Sequence, residues 1–124
     1  IRIVAPPELM ISNADALGVE TYHDLKEGIA DADVVMTLRL QHERMHEKKV
    51  ASLEEYNRDY GLTRDNLAPV ASDAIIMHPG PINRGVEIDP DVAYGDRSVV
   101  LEQVTNGIAV RMAVMAMIVG ARKE

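Results

Sequence analysis

Ala32-Asp33-Val34-Val35-Met36-Thr37-Leu38-Arg39-Leu40-Gln41 is the stretch on which the fold turns. Val34 to Leu38 is a short, continuous apolar run, the pattern of a strand covered on both faces. Ile1–Ala5, closed by Pro6-Pro7, and Ala74–Met77, closed by His78-Pro79-Gly80-Pro81, read the same way, and Val19–Tyr22 reads as a further short strand. The intervening segments read as helices. One is predicted over Pro7–Leu17 with Gly18 as its stop, and a second over Asp24–Ala30 with Asp24 as N-cap. A third runs through Ser52–Tyr60, capped by Ser52 and stopped by Gly61, with a helical turn at Thr63–Leu67. Strands alternating with helices predict an α/β fold: a mainly parallel sheet with flanking helices, a Rossmann-like three-layer domain. Ligands in such sheets sit at the carboxyl ends of strands. Two ends carry polar chemistry, Arg39-Leu40-Gln41 and His78-Pro79-Gly80-Pro81.

The remaining sequence divides in two. Pro79 to Arg97 is rich in Pro, Gly, Asn and Asp and is expected to be a long irregular loop. Val99 to Arg122 reads as one long helix, so residues 1–98 are taken as the α/β domain and 99–124 as a C-terminal helix. From Gly107 to Ala121 the only charged side chain is Arg111, and apolar residues occupy most of the helical circumference. A helix lying on one domain's surface should show a polar face. This one is therefore expected to be buried on more than one side, partly against something outside the 124 residues.

Composition sets the outer limits. At 124 residues the chain is one domain's worth, and 47% apolar content supplies a core. With no Phe, no Trp and four Tyr, that core must be aliphatic. The absence of Cys excludes disulfides, Cys-ligated metal and a cysteine nucleophile. Thirteen basic against twenty acidic residues give −7, with no basic stripe, which argues against nucleic acid. Any anion site must then rest on a few locally placed arginines. The longest uninterrupted apolar run, Met112 to Val119, is too short to span a bilayer, so no membrane partner is expected. The chain opens on Ile1 rather than Met, directly on a strand-like run, and is expected to be a piece of a longer chain.

His42-Glu43-Arg44-Met45-His46 fits the H-E-x-x-H zinc pattern, in which two histidines share a helix face. The residues after it, Glu47-Lys48-Lys49, supply no third ligand, and from Gln41 to Asp65 eleven of 25 residues are charged. The segment is read as solvated surface, and no metal or cofactor is expected. Arg39 and Gln41, one residue apart, would point the same way from a strand. A guanidinium holds a carboxylate by two parallel hydrogen bonds and an amide adds a third. At the other end, Pro79 offers a fixed carbonyl, and Gly80 lets a ligand approach the backbone. His78 is either a base or a structural hydrogen-bonding residue. Gln103 and Asn106 share a helix face and are read as packing positions. No G-x-G-x-x-G follows the first strand, and no G-x-x-x-x-G-K-[ST] occurs.

Three blocks together carry a resemblance: Ala32 to Arg44, Met77-His78-Pro79-Gly80-Pro81-Ile82-Asn83-Arg84, and Gln103-Val104-Thr105-Asn106-Gly107-Ile108-Ala109-Val110-Arg111. In order and spacing the chain resembles the aspartate-binding half of the aspartate carbamoyltransferases. The related ornithine enzymes carry a Ser-Met-Gly type loop near the first block and His-Cys-Leu-Pro at the second, and this chain has neither. The resemblance implies formation of N-carbamoyl-L-aspartate and phosphate from L-aspartate and carbamoyl phosphate, the committed step of pyrimidine synthesis, without a metal or other cofactor. It implies that Arg39 holds the aspartate side-chain carboxylate, with Gln41 orienting it. Glu43 would brace Arg39, Arg44 would tie the charged loop into a closed state, and the carbonyls of Pro79 and Gly80 would receive carbamoyl and amine groups, with His78 in support. The family's Ser-Thr-Arg-Thr and His-Pro-x-Gln motifs do not occur here. The chain thus carries about half an active site and is expected to be inactive alone, the carbamoyl phosphate half being N-terminal. A cytoplasmic catalytic homotrimer, with regulatory or dihydroorotase subunits as further partners, is the family expectation. The competing reading is a stand-alone small-molecule-binding or receiver-like α/β module. It lacks the acids that a receiver domain carries after its first strand, which here ends in Ala5-Pro6-Pro7.

Overall fold

A computed structural model describes residues 1–41 and 52–120. Four short parallel strands carry the fold: β1 (Arg2–Val4), β2 (Glu20–Tyr22), β3 (Val34–Met36) and β4 (Ile75–Met77). β1 pairs with β2, and β3 with β4 in the register Val34↔Ile75, Val35↔Ile76, Met36↔Met77. On its other side β4 meets residues 97–99, through Ile76 N–H to the Arg97 carbonyl (2.8 Å) and Val99 N–H to the Ile76 carbonyl (3.0 Å). The expected α/β architecture of parallel strands and helices is present, as two strand pairs.

Local chemistry explains the element ends. Helix α1 (Leu25–Ile29) is capped by Asp24, whose carboxylate accepts from the Glu27 N–H at 2.9 Å. Helix α2 (Leu53–Tyr60) is capped by Ser52, accepting from the Glu55 N–H at 3.0 Å, and stops at Gly61. α1 lies close on β1: a Cβ added to Gly28 would come within 2.4 Å of Val4 Cγ2, so that position admits no side chain. The predicted helix over Pro7–Leu17 is instead two 3-10 turns, Pro7–Leu9 and Ala14–Leu17. Met10 is already extended, and Ser12 and Asn13 between the turns belong to the types that compete with the helical backbone. Gly18 closes the second turn at φ 64°, as a left-handed stop. The Pro79–Arg97 loop contains one short helix that its composition hid, α3 (Pro90–Ala93), started by a proline in its first turn.

The core is aliphatic, as the composition requires. Leu25, Ile29, Val35, Leu62, Ile76 and Ile88 form its centre, with Leu67, Val70, Val92 and Ala93 around them. The other face of the β3–β4 pair is open, with Val34, Met36 and Ile75 exposed.

Helix α4 (Val100–Gly120) is long and buries only Val100. Met112, Val114, Met115, Met117, Ile118 and Val119 are all exposed. Among the described residues, α4 is long and apolar enough, by length and composition alone, to cross a membrane. This corrects the sequence argument, which judged only the longest uninterrupted run. The expected packing of one face on this domain's own layer is absent among the described residues, where Val100 alone is buried; the expected exposed apolar patch of Met and Val residues is present there.

Candidate functional site

Because β3 and β4 are parallel and adjacent, their carboxyl ends lie side by side. The Thr37 N–H extends the ladder by donating to the Met77 carbonyl at 3.1 Å. The two polar strand ends of the sequence therefore meet in one place. α4 starts beside them, with Gln103 Nε2 3.7 Å from Met36 Sδ on β3.

Arg39, half-buried, is held by Asn83, a residue the sequence reading had not singled out for a role. The Arg39 Nε–H donates to Asn83 Oδ1 at 3.3 Å, and Asn83 Nδ2 donates to the Leu40 carbonyl at 3.0 Å. This pairing fixes the amide's orientation, since only Oδ1 can accept and only Nδ2 can donate. Glu87 lies directly behind. It is wholly buried, yet its carboxylate accepts from the Asn83 N–H (2.5 Å) and, at a long 3.5 Å, from the Leu40 N–H. One carboxylate thus ties the loop after β4 to the chain leaving β3. Tyr56 on α2 feels it as well: burial, then the Glu87 charge, pushes the phenol above its ordinary range.

His78 is also wholly buried. Its Nδ1 accepts from the Gly80 N–H at 2.8 Å. The lone pair must therefore be on Nδ1 and the ring proton on Nε2. Nε2 lies 3.3 Å from Glu87 Oε1 but at an angle that makes no hydrogen bond. Burial holds the imidazole below its ordinary value of 6.5, and the Glu87 carboxylate opposes this only in part. A second ring proton would also collide with the Gly80 N–H. Of the two roles left open by the sequence, this geometry is that of a structural hydrogen-bonding residue.

The loop His78-Pro79-Gly80-Pro81 is shaped by that bond and by Gly80, which sits at φ 68° before a cis peptide to Pro81. A Cβ there would lie 3.1 Å from Val104 Cγ2 on α4. Among the described residues, no backbone N–H donates to the Pro79 or Gly80 carbonyl. Pro79 is exposed and Gly80 partly so. These carbonyls are open acceptors beyond the end of β4, which lies beside the end of β3 that leads to Arg39.

The structure thus brings together Arg39, His78, Pro79 and Gly80, with Gln41 exposed just beyond Leu40. Glu43, Arg44 and the His42–His46 zinc pattern lie outside the described residues. Asn106 is exposed on α4, and Arg84 is engaged with Tyr94, its Nη2 donating to the hydroxyl at 3.0 Å. The residues the sequence reading missed are Asn83 and Glu87. Glu87 stands between the apolar Val86 and Ile88, but nothing local signals its contact with Asn83.

Residues 6–118 match the family described as aspartate/ornithine carbamoyltransferase, Asp/Orn binding domain. Among solved structures, the anabolic ornithine carbamoyltransferase of Campylobacter jejuni has a similar fold (TM-score 0.75, 24% identity, covering 98% of this chain and 44% of that one). Aspartate transcarbamoylase of Trypanosoma cruzi, in complex with carbamoyl phosphate and aspartate, gives TM-score 0.70 at 27% identity, over 92% of this chain and 39% of that one. The ornithine carbamoyltransferase of Pyrococcus furiosus gives 0.65 at 28%, over 84% and 34%. The chain therefore spans less than half the length of these relatives.

Proposed function

Since the chain belongs to the aspartate/ornithine carbamoyltransferase family, as its Asp/Orn-binding domain, we propose that it is the aspartate-binding part of an aspartate carbamoyltransferase. The observation that carries this reading is the sign and placement of one charge. Arg39 stands at the end of β3, clipped by Asn83 and adjoining the His78–Pro81 loop. A guanidinium receives the β-carboxylate of aspartate by two hydrogen bonds, whereas it repels the side-chain ammonium of ornithine. The missing Ser-Met-Gly and His-Cys-Leu-Pro signatures support the same choice.

On this reading Arg39 and Gln41 bind the side-chain carboxylate, and the Pro79 and Gly80 carbonyls accept from the carbamoyl and aspartate amines. The deprotonated amine attacks the carbamoyl carbon, the C–O bond to phosphate breaks, and the leaving phosphate takes the amine proton. These residues contribute orientation and charge neutralisation rather than acid–base chemistry. Carbamoyl phosphate would be held by an N-terminal half, which would also cover α4, so the 124 residues alone would not turn over. A cytoplasmic homotrimer serving pyrimidine synthesis belongs to the same proposal.

The test is a carbamoylation assay of the complete protein with L-aspartate and L-ornithine in parallel. Aspartate should be the substrate, and Arg39→Ala should cost about 2–5 kcal/mol, the usual loss for removing one partner of a hydrogen-bonded charge pair. That is a fall in kcat/KM of about 30-fold or more. Lysine should rescue poorly, having no fork. Preferential carbamoylation of ornithine, or an Arg39→Ala variant with unchanged kinetics, would refute the reading.

A further inference from the structure

We propose that Asn83, held by the buried Glu87, is a positioning residue that sets the Arg39 guanidinium for the substrate carboxylate. The inference rests on the functional reading above and deepens it. Its basis is the chain of contacts from the core to the arginine. Glu87 accepts from the Asn83 N–H and from the Leu40 N–H, gripping both backbones from below. The Asn83 side chain then closes the gap above, from Arg39 Nε to the Leu40 carbonyl. Arg39 and Leu40 are consecutive, so Asn83 holds the guanidinium relative to its own backbone.

Stability alone gives little reason for this arrangement. A buried carboxylate is expensive to desolvate, and an apolar side chain of similar volume in its place is often neutral or stabilising. A surface arginine that served only solubility would gain nothing from being oriented. Bidentate carboxylate recognition, by contrast, depends on where the guanidinium plane lies, because both hydrogen bonds must be met at once. Holding that plane beforehand spares the ordering of a long, freely rotating side chain on binding. The cost of burying Glu87 is explained if what it supports is the orientation of Arg39.

The experiment uses the complete protein and two independent readouts. The first is solvent exchange of the Arg39 Nε–H by nitrogen-15 NMR, assigned by its disappearance in Arg39→Lys. The second is the separate measurement of KM for aspartate and kcat. Asn83→Ala should speed Nε–H exchange and raise KM about tenfold while kcat changes much less. Asn83→Asp has the same size but no donor for the Leu40 carbonyl, so its urea midpoint is measured beside the kinetics to separate misfolding from loss of the clip. It should keep the Nε–H protected yet still raise KM, because its carboxylate competes with the substrate for Arg39. Glu87→Gln, also isosteric, should raise KM in the same direction. Unchanged Nε–H exchange in Asn83→Ala would overturn the clip. Faster exchange with an unchanged KM, or a loss confined to kcat, would leave Asn83 a structural residue and overturn the inference. If the wild-type protein fails to use aspartate, the functional reading falls instead. The exchange measurement still reports on the clip separately.

Discussion

His78 offers a substitution series in which the two ring nitrogens are tested apart. In the structure its Nδ1 accepts from the Gly80 N–H at 2.8 Å, and its Nε2 only approaches Glu87. Asparagine carries an oxygen near the Nδ1 position and glutamine reaches toward Nε2. His78→Ala removes both and leaves a void at a site with no solvent access. The orphaned N–H costs about 1–3 kcal/mol and the void about 2–4 kcal/mol, so alanine should destabilise by about 3–7 kcal/mol. Asparagine should lose only the smaller volume, about 1–2 kcal/mol. Glutamine should fall nearer to alanine, because the Gly80 N–H stays unmet. Urea titrations in neutral to mildly alkaline buffer, where the wild-type imidazole is uncharged, give the differences from the midpoints at constant slope. Equal losses for asparagine and alanine, or an alanine loss below about 1 kcal/mol, would refute the assignment of Nδ1 as the loop's anchor.

The same histidine makes stability depend on pH. Its folded value lies below 6.5, so the unfolded chain binds the extra proton first. His78's contribution is full above 6.5 and is lost as the pH falls below it, until the folded value is passed. Wild type minus His78→Asn, measured across that range, should show this slope, and parallel curves would count against it. Gly80→Ala should cost about 1–2 kcal/mol for the left-handed backbone plus the contact with Val104. Gly85, at φ 70° with nothing near its Cβ, supplies the strain-only control, so Gly85→Ala should be the milder change in the same titration.

What was legible in the sequence was local. Asp24 and Ser52 cap helices because each sits three residues before the N–H it accepts from, a relation that needs no tertiary knowledge. The four runs became strands, and Arg39 and His78 follow strand ends because the apolar runs stop there, but the expected cover on both faces is missing: β1 and β2 are at most half-buried, and Val34, Met36 and Ile75 are exposed. The long helix was read within two residues at each end of its described span. The roles of Asn83 and Glu87 were not legible, since they depend on contacts 43 to 47 residues away along the chain. Glu87 looked like an ordinary loop acid. Only the packing of Ile88 into the core, at 0% exposure, draws its neighbour inside. The Pro7–Leu17 segment failed differently: the chain is already extended at Met10, ahead of Ser12 and Asn13, residue types with low preference for helix interiors.

Helix α4 links these observations. Its first turns are tied to the site, through Gln103 against Met36 and Val104 beside Gly80. Its later turns carry the exposed Met and Val surface. Lipid and protein are the two media that cover such a surface. The family match runs through residue 118 and so includes nearly all of the helix in the substrate-binding domain. A helix whose first turns pack beside the candidate site and which is apolar over the rest is suited to passing into a second protein body. Under the proposed function that body is the carbamoyl phosphate half. Val104 then becomes the point where packing of the helix presses on the loop that presents the Pro79 and Gly80 carbonyls. The small size of Gly80 leaves that loop just 3.1 Å of clearance between an added Cβ and Val104, so a shift of the helix by a few tenths of an ångström would be felt at the acceptors.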